Sequence, residues 1–87
     1  MKIKKLLEKL KDILSADRQA QLEKYKSLKS VLKSLRIEKK GLEKELADTK
    51  DEEKQQEISS RLKVISMQRK KGLKLLRELK KERRKAT

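Results

Sequence analysis

Among the first fourteen residues the apolar positions are Ile3, Leu6, Leu7, Leu10, Ile13 and Leu14, spaced three and four apart with lysines and acids between them. At ~100° per residue they share one side of a helix, which predicts an amphipathic helix over residues 3–14. Ser15 stands where an N-cap belongs and Asp17 falls in the first turn behind it, so a break or bend is expected near residues 15–16.

Past that point the apolar recurrence becomes heptad-like and predicts a helix over residues 16–47. Tyr25, Leu32, Lys39 and Leu46 take one core position, and Leu28, Leu35 and Leu42 take the other. In the last third Ile58, Ile65, Gly72 and Leu79 share one position, while Leu62, Arg69, Leu76 and Arg83 share its partner. Leu73 and Leu75 widen that stripe beyond a narrow seam.

The two stripes do not belong to one straight helix. Leu46 and Ile58 lie twelve residues apart, which turns the apolar stripe by roughly 120° and exceeds what a stutter or stammer absorbs. Thr49 with Glu52 has the spacing of a capping box, and Asp51, Glu52 and Glu53 suit the positive end of a new helix. A turn is therefore expected at residues 48–50, with Asp48 and Thr49 non-helical, then a helix over 51–83 and a frayed tail over 84–87.

Folding back there pairs Leu46 with Ile58, Leu42 with Leu62, Leu35 with Arg69, Leu32 with Gly72, Leu28 with Leu76 and Tyr25 with Leu79. The fold class is all-α: one domain built on a long antiparallel, coiled-coil-like hairpin preceded by a short amphipathic helix. Two arms alone leave the seam open on one side, so either residues 3–14 or a second hairpin must cover it. The expectation is a homodimer closing into a four-helix bundle, with the short helix across one end. Its self-association seam is Tyr25, Leu28, Leu32, Leu35, Leu42, Leu46, Ile58, Leu62, Ile65, Leu76 and Leu79. Lys39 and Arg69 interrupt that seam, either fixing register or laying their stems along apolar surface with the charges in water. Gly72 on the seam leaves room for Leu32, whereas Gly41 lies off it with no packing reason.

Composition removes most chemistry. The 87 residues include no Cys, His, Pro, Trp or Phe and a single Tyr. Thiolate and imidazole ligands, Cys or His nucleophiles and the usual neutral-pH acid/base residue are therefore excluded. The close acids, such as Glu43/Glu45 and Asp51 to Glu53, fall on solvated helix surface among lysines, and no phosphate-binding glycine loop or nucleophile motif occurs. The sequence points to no enzyme, no cofactor and no metal site. No apolar run is long enough for a membrane span, and a cytoplasmic protein is expected.

Charge supplies the one functional signal. The chain carries +14, but residues 61–87 hold twelve Lys/Arg against two acids while residues 41–60 hold three Lys against seven acids. A hairpin turns that gradient into a rod with an acidic tip and a basic open end, which would orient in the field of a polyanion. Candidate polyanion-binding residues are Arg69, Lys70, Lys71, Lys74, Arg77, Lys80, Lys81, Arg83, Arg84 and Lys85. Because the only ring is Tyr25, at a core position, stacking on single-stranded bases is disfavoured and structured RNA or DNA met through phosphates is favoured. Two other readings stay open: a coiled-coil adaptor with a helical or acidic protein partner, and residues 3–14 as an interfacial helix on an anionic membrane surface.

Overall fold

The computed structural model describes residues 2–85, which form four α-helices and no strand. These are α1 (Lys2–Ser15), α2 (Arg18–Glu23), α3 (Tyr25–Asp48) and α4 (Glu52–Lys85). The hairpin is present: α3 and α4 pack together with Leu32 against Gly72, as the heptads require. At 1.5 Å per residue α4 is ~51 Å long, and the molecule measures 52 × 18 × 16 Å. One helix thus sets the length of the whole rod.

The helix boundaries differ from expectation in four places, each for a local reason. The first break falls at Ala16 and Asp17, but Asp17 is the N-cap: its Oδ1 accepts from the Ala20 N–H at 2.9 Å. Ser15 instead ends α1, its Oγ donating to the Asp12 carbonyl at 3.2 Å. The helix expected over 16–47 starts at Arg18 and is divided at Lys24 (φ −95°, ψ 16°), whose N–H still donates to the Ala20 carbonyl at 3.0 Å. This is a bend more than a gap, and it goes with two contacts α2 makes outside its own helix. Gln21, buried, donates from Nε2 to the Ile13 and Leu14 carbonyls at 3.1 and 3.3 Å, satisfying the end of α1.

At the tip, the turn sits one residue later than expected, over Thr49, Lys50 and Asp51, and Asp48 is helical. The capping box does not form. Asp51 caps α4, its Oδ1 accepting from the Glu53 N–H at 3.0 Å, while Thr49 Oγ1 turns back to donate to the Glu45 carbonyl at 2.7 Å. A carboxylate two positions ahead of an N–H outcompetes a hydroxyl already engaged with the preceding helix. At the other end α4 continues to Lys85, so Arg84 and Lys85 are helical where fraying was expected. Three cations in its last turn favour the helix C-terminus. Ala86 and Thr87 lie outside the described residues.

The largest departure is the place of α1. It lies lengthwise beside the hairpin instead of across one end. Leu6 lines a cleft with Ser34, Ile37 and Glu38, and Ile13 lines another with Ser27 and Val31, so α1 runs antiparallel to α3. A Cβ at Gly72 would stand 2.7 Å from Leu32 Cδ2 and 3.0 Å from Leu10 Cδ1, so the glycine is where three helices converge. Leu10, Leu28, Leu35, Ile65 and Leu79 are fully buried, and Ile3, Leu7, Leu14, Leu22 and Tyr25 pack around them partly covered. The base of the rod is therefore a three-helix bundle, and the tip, beyond the N-terminus of α1, is a two-helix hairpin around Leu42, Leu46, Ile58 and Leu62.

The shape leaves the core thin. A compact monomer of this mass exposes about 5,400 Å², and this rod exposes 6,954 Å². Ile37 and Met67 are each 62% exposed, close to the level at which α1 ends.

Candidate functional site: a basic face on the hairpin

α1 divides the hairpin into a covered side and an open one, and the charged residues sort themselves accordingly. On α3, the residues beside α1 are Ser27, Val31, Ser34 and Glu38. Two positions after each stand Lys29, Lys33, Arg36 and Lys40, all exposed. Two residues turn a helix by ~200°, so these four cations form a row pointing away from α1. Between Lys24 and Gly41 the only acid is Glu38, which sits among Lys2, Lys5 and Lys9 of α1.

The same sorting holds on α4. From residue 58 to 85 its only acids are Glu78 and Glu82. Both are turned toward α2, where Arg18 NH2 lies 3.4 Å from Glu78 Oε2 and Arg18 Nε lies 3.3 Å from Glu82 Oε1. Lys70, Leu73, Arg77, Lys80 and Arg84 recur three and four apart, roughly 130° round the helix from those acids. Seen down antiparallel axes, this row and the α3 row project to the same side of the hairpin. The result is a face without acidic side chains that extends along the rod until Glu43 closes it near the tip.

The sequence-predicted cations distribute unevenly over this geometry. Lys70, Arg77, Lys80 and Arg84 are on the open face, and Lys70 and Arg77 border a shallow depression with Lys71, Leu73 and Lys74. Lys71, Lys74 and Lys81 lie along its outer edge, Lys71 and Lys74 lining that depression, and Lys85 stands in the last turn of α4. Arg69 is half-buried at the seam, its Nε donating to the Leu32 carbonyl at 3.3 Å, with its stem along the apolar contact. Arg83 stacks over the Tyr25 ring, 4.2 Å from its centroid. The single aromatic ring is thus occupied by a cation of the chain itself. Compared with family models, curated proteins and solved structures, the chain finds no match.

Reading the sequence missed the α3 row altogether. Its signal was available as Lys29, Lys33, Arg36 and Lys40 at i, i+4, i+7 and i+11, the spacing otherwise used to find a buried stripe. The remaining expected residues form the core. Leu28, Leu32, Leu35, Leu42, Ile58, Ile65 and Leu79 of the seam are buried, and Tyr25, Leu46, Leu62 and Leu76 are partly so, all within one cluster of a single chain. Over the base half α1 already covers that seam, which leaves only the tip half for a second copy.

Proposed function

We propose that this is a non-enzymatic, cytoplasmic protein that binds a polyanion, structured RNA or DNA, through phosphate contacts at the basic end of its rod. The observation that carries the reading is the sorting of charge. Every acid within the basic stretches of α3 and α4 is turned toward α1 or α2, which leaves Lys29, Lys33, Arg36, Lys40, Lys70, Arg77 and Lys80 on a side where those stretches present no acid. A face meant only for solubility gains nothing from such segregation, since interspersed charges of both signs serve equally well. The alternative membrane reading asks α1 for a free apolar face, yet Leu10 and Ile13 are spent on the hairpin. An adaptor role would use apolar surface at the tip and is separated by experiment.

The test is fluorescence anisotropy with 20-base-pair RNA and DNA duplexes, titrated between 50 and 200 mM salt. Binding that weakens steeply with salt is expected, through release of condensed counterions. No binding at about 100 mM salt would overturn the proposal, and a pull-down partner that survives nuclease would favour the adaptor. Surface substitutions are the appropriate perturbation, because truncating from residue 69 would remove Leu75 and Leu79 from the core.

A further inference from the structure

Building on the polyanion reading, we infer that the partner is double-stranded and that the rod meets it with one face only, the side of the hairpin opposite α1. The contact residues are Lys29, Lys33, Arg36 and Lys40 of α3 with Lys70, Arg77 and Lys80 of α4. With Leu32 level with Gly72, the two rows overlap and together extend from the level of Lys40 to that of Lys80, ~24 Å at 1.5 Å per residue. They ride on helices whose axes lie about 8–10 Å apart, and their side chains diverge from the seam. The cations therefore form two lines separated on the scale of a groove, ~12 Å for the major groove of B-form DNA. A duplex offers two lines of phosphate at that spacing, and a single strand offers one.

The chemistry of the face agrees. Over ~24 Å a duplex carries about fourteen phosphate charges, against seven cations here. The face holds no aromatic ring on which a base could stack, Tyr25 being covered by Arg83. The whole chain has no Asn, and no Gln stands among the two rows, so the usual pairing with adenine is missing. Such a face is suited to gripping phosphates. The opposite side of the rod is mixed in sign, with Glu38, Glu57, Glu78 and Glu82 all directed toward it.

Two variants of equal charge change separate the face from the general field. The face variant carries Lys33→Gln, Arg36→Gln, Lys40→Gln, Arg77→Gln and Lys80→Gln, and the control, all on α1, carries Lys2→Gln, Lys4→Gln, Lys5→Gln, Lys9→Gln and Lys11→Gln. Each loses five positive charges from exposed helix surface, and circular dichroism checks that helicity is retained. For the intact protein on duplex DNA, seven contacts predict a slope of log K against log salt of about −6. The face variant should fall to about −2, with at least ~100-fold weaker binding at 100 mM salt, while the control keeps the slope within one unit. Should the face variant lose helicity, the triple change Lys33→Gln, Arg36→Gln, Lys40→Gln replaces it, with an expected slope of about −4. Equal losses in face and control variants would overturn the one-sided interface and leave polyanion binding intact. A single strand bound as tightly as the duplex would overturn the double-stranded partner. Failure of the intact protein to bind either is instead the failure of the underlying reading.

Discussion

Replacing each of the two glycines by alanine makes the same chemical change at two places with opposite surroundings. Both residues lie inside helices, and neither has positive φ. Alanine is therefore worth about 1 kcal/mol of helix propensity at each site before packing is considered. At Gly41 a Cβ meets nothing within 4 Å, so Gly41→Ala should keep that gain. For 87 residues the unfolding entropy is about 0.18 kcal/mol/K, which converts the gain into a Tm about 5 °C higher. At Gly72 the new carbon would stand 2.7 Å from Leu32 Cδ2 and 3.0 Å from Leu10 Cδ1. Leu32 is 3% exposed and Leu10 is fully buried, so neither can swing into solvent. Overpacking of this kind costs about 1–3 kcal/mol. Net of propensity, Gly72→Ala should leave stability unchanged or lower it by up to about 2 kcal/mol. The measurement is urea or thermal unfolding followed by circular dichroism, with Leu10→Ala as a second arm. Leu10→Ala costs about 2–5 kcal/mol alone, but it frees the space that Gly72→Ala needs, so the double variant should be less destabilised than the two singles added. If Gly72→Ala stabilises as much as Gly41→Ala, α1 does not pack into the hairpin at this point and the three-helix base is wrong.

Other substitutions test the helix ends and the Arg18 ion pairs. Gln21→Ala removes the donor to the Ile13 and Leu14 carbonyls and should cost about 1–3 kcal/mol in urea unfolding. It should also speed amide exchange in α1 before the hairpin is affected. Asp51→Ala deletes the N-cap of α4 and should cost about 1 kcal/mol, whereas Thr49→Val, which the capping-box reading would make the worse change, should cost less. Arg18→Gln breaks two pairs whose side chains are each nearly half exposed, so its effect should stay below about 1 kcal/mol and vanish by 1 M salt.

The hairpin was legible because its evidence is redundant. Seven heptad positions in α3 define one stripe, the 120° offset between Leu46 and Ile58 requires a turn between them, and the cap residues from Thr49 to Glu53 place it to within a residue. The cap was misread because Thr49 and Asp51 are both good N-caps by type, and only the chain path decides which carboxylate or hydroxyl faces the free N–H groups. The position of α1 was harder still. Periodicity says that Leu6, Leu10 and Ile13 share a face but not which groove receives it, and the heptads account for Leu32 at Gly72 but not for Leu10. The basic face depended on that same fact. Lys29, Lys33, Arg36 and Lys40 become a surface of their own only once α1 has claimed the other side and drawn Glu38 with it.

The meeting of Leu10 with Gly72 also sets an order of events during synthesis. These two residues are 62 positions apart, and at about 5–20 residues per second the second follows the first by roughly 3–12 s. A helix forms in about a microsecond, so α1 is made long before the surface it needs exists. α3 and α4, joined by three residues, make their contacts locally and zip from the acidic tip as α4 emerges. Translated ahead of the hairpin that receives it, α1 thus finds its place after the hairpin has formed, and for those seconds it is an unpartnered amphipathic segment carrying net positive charge. Whatever keeps it from other apolar surfaces in that interval is as much a part of this protein's folding as its own core.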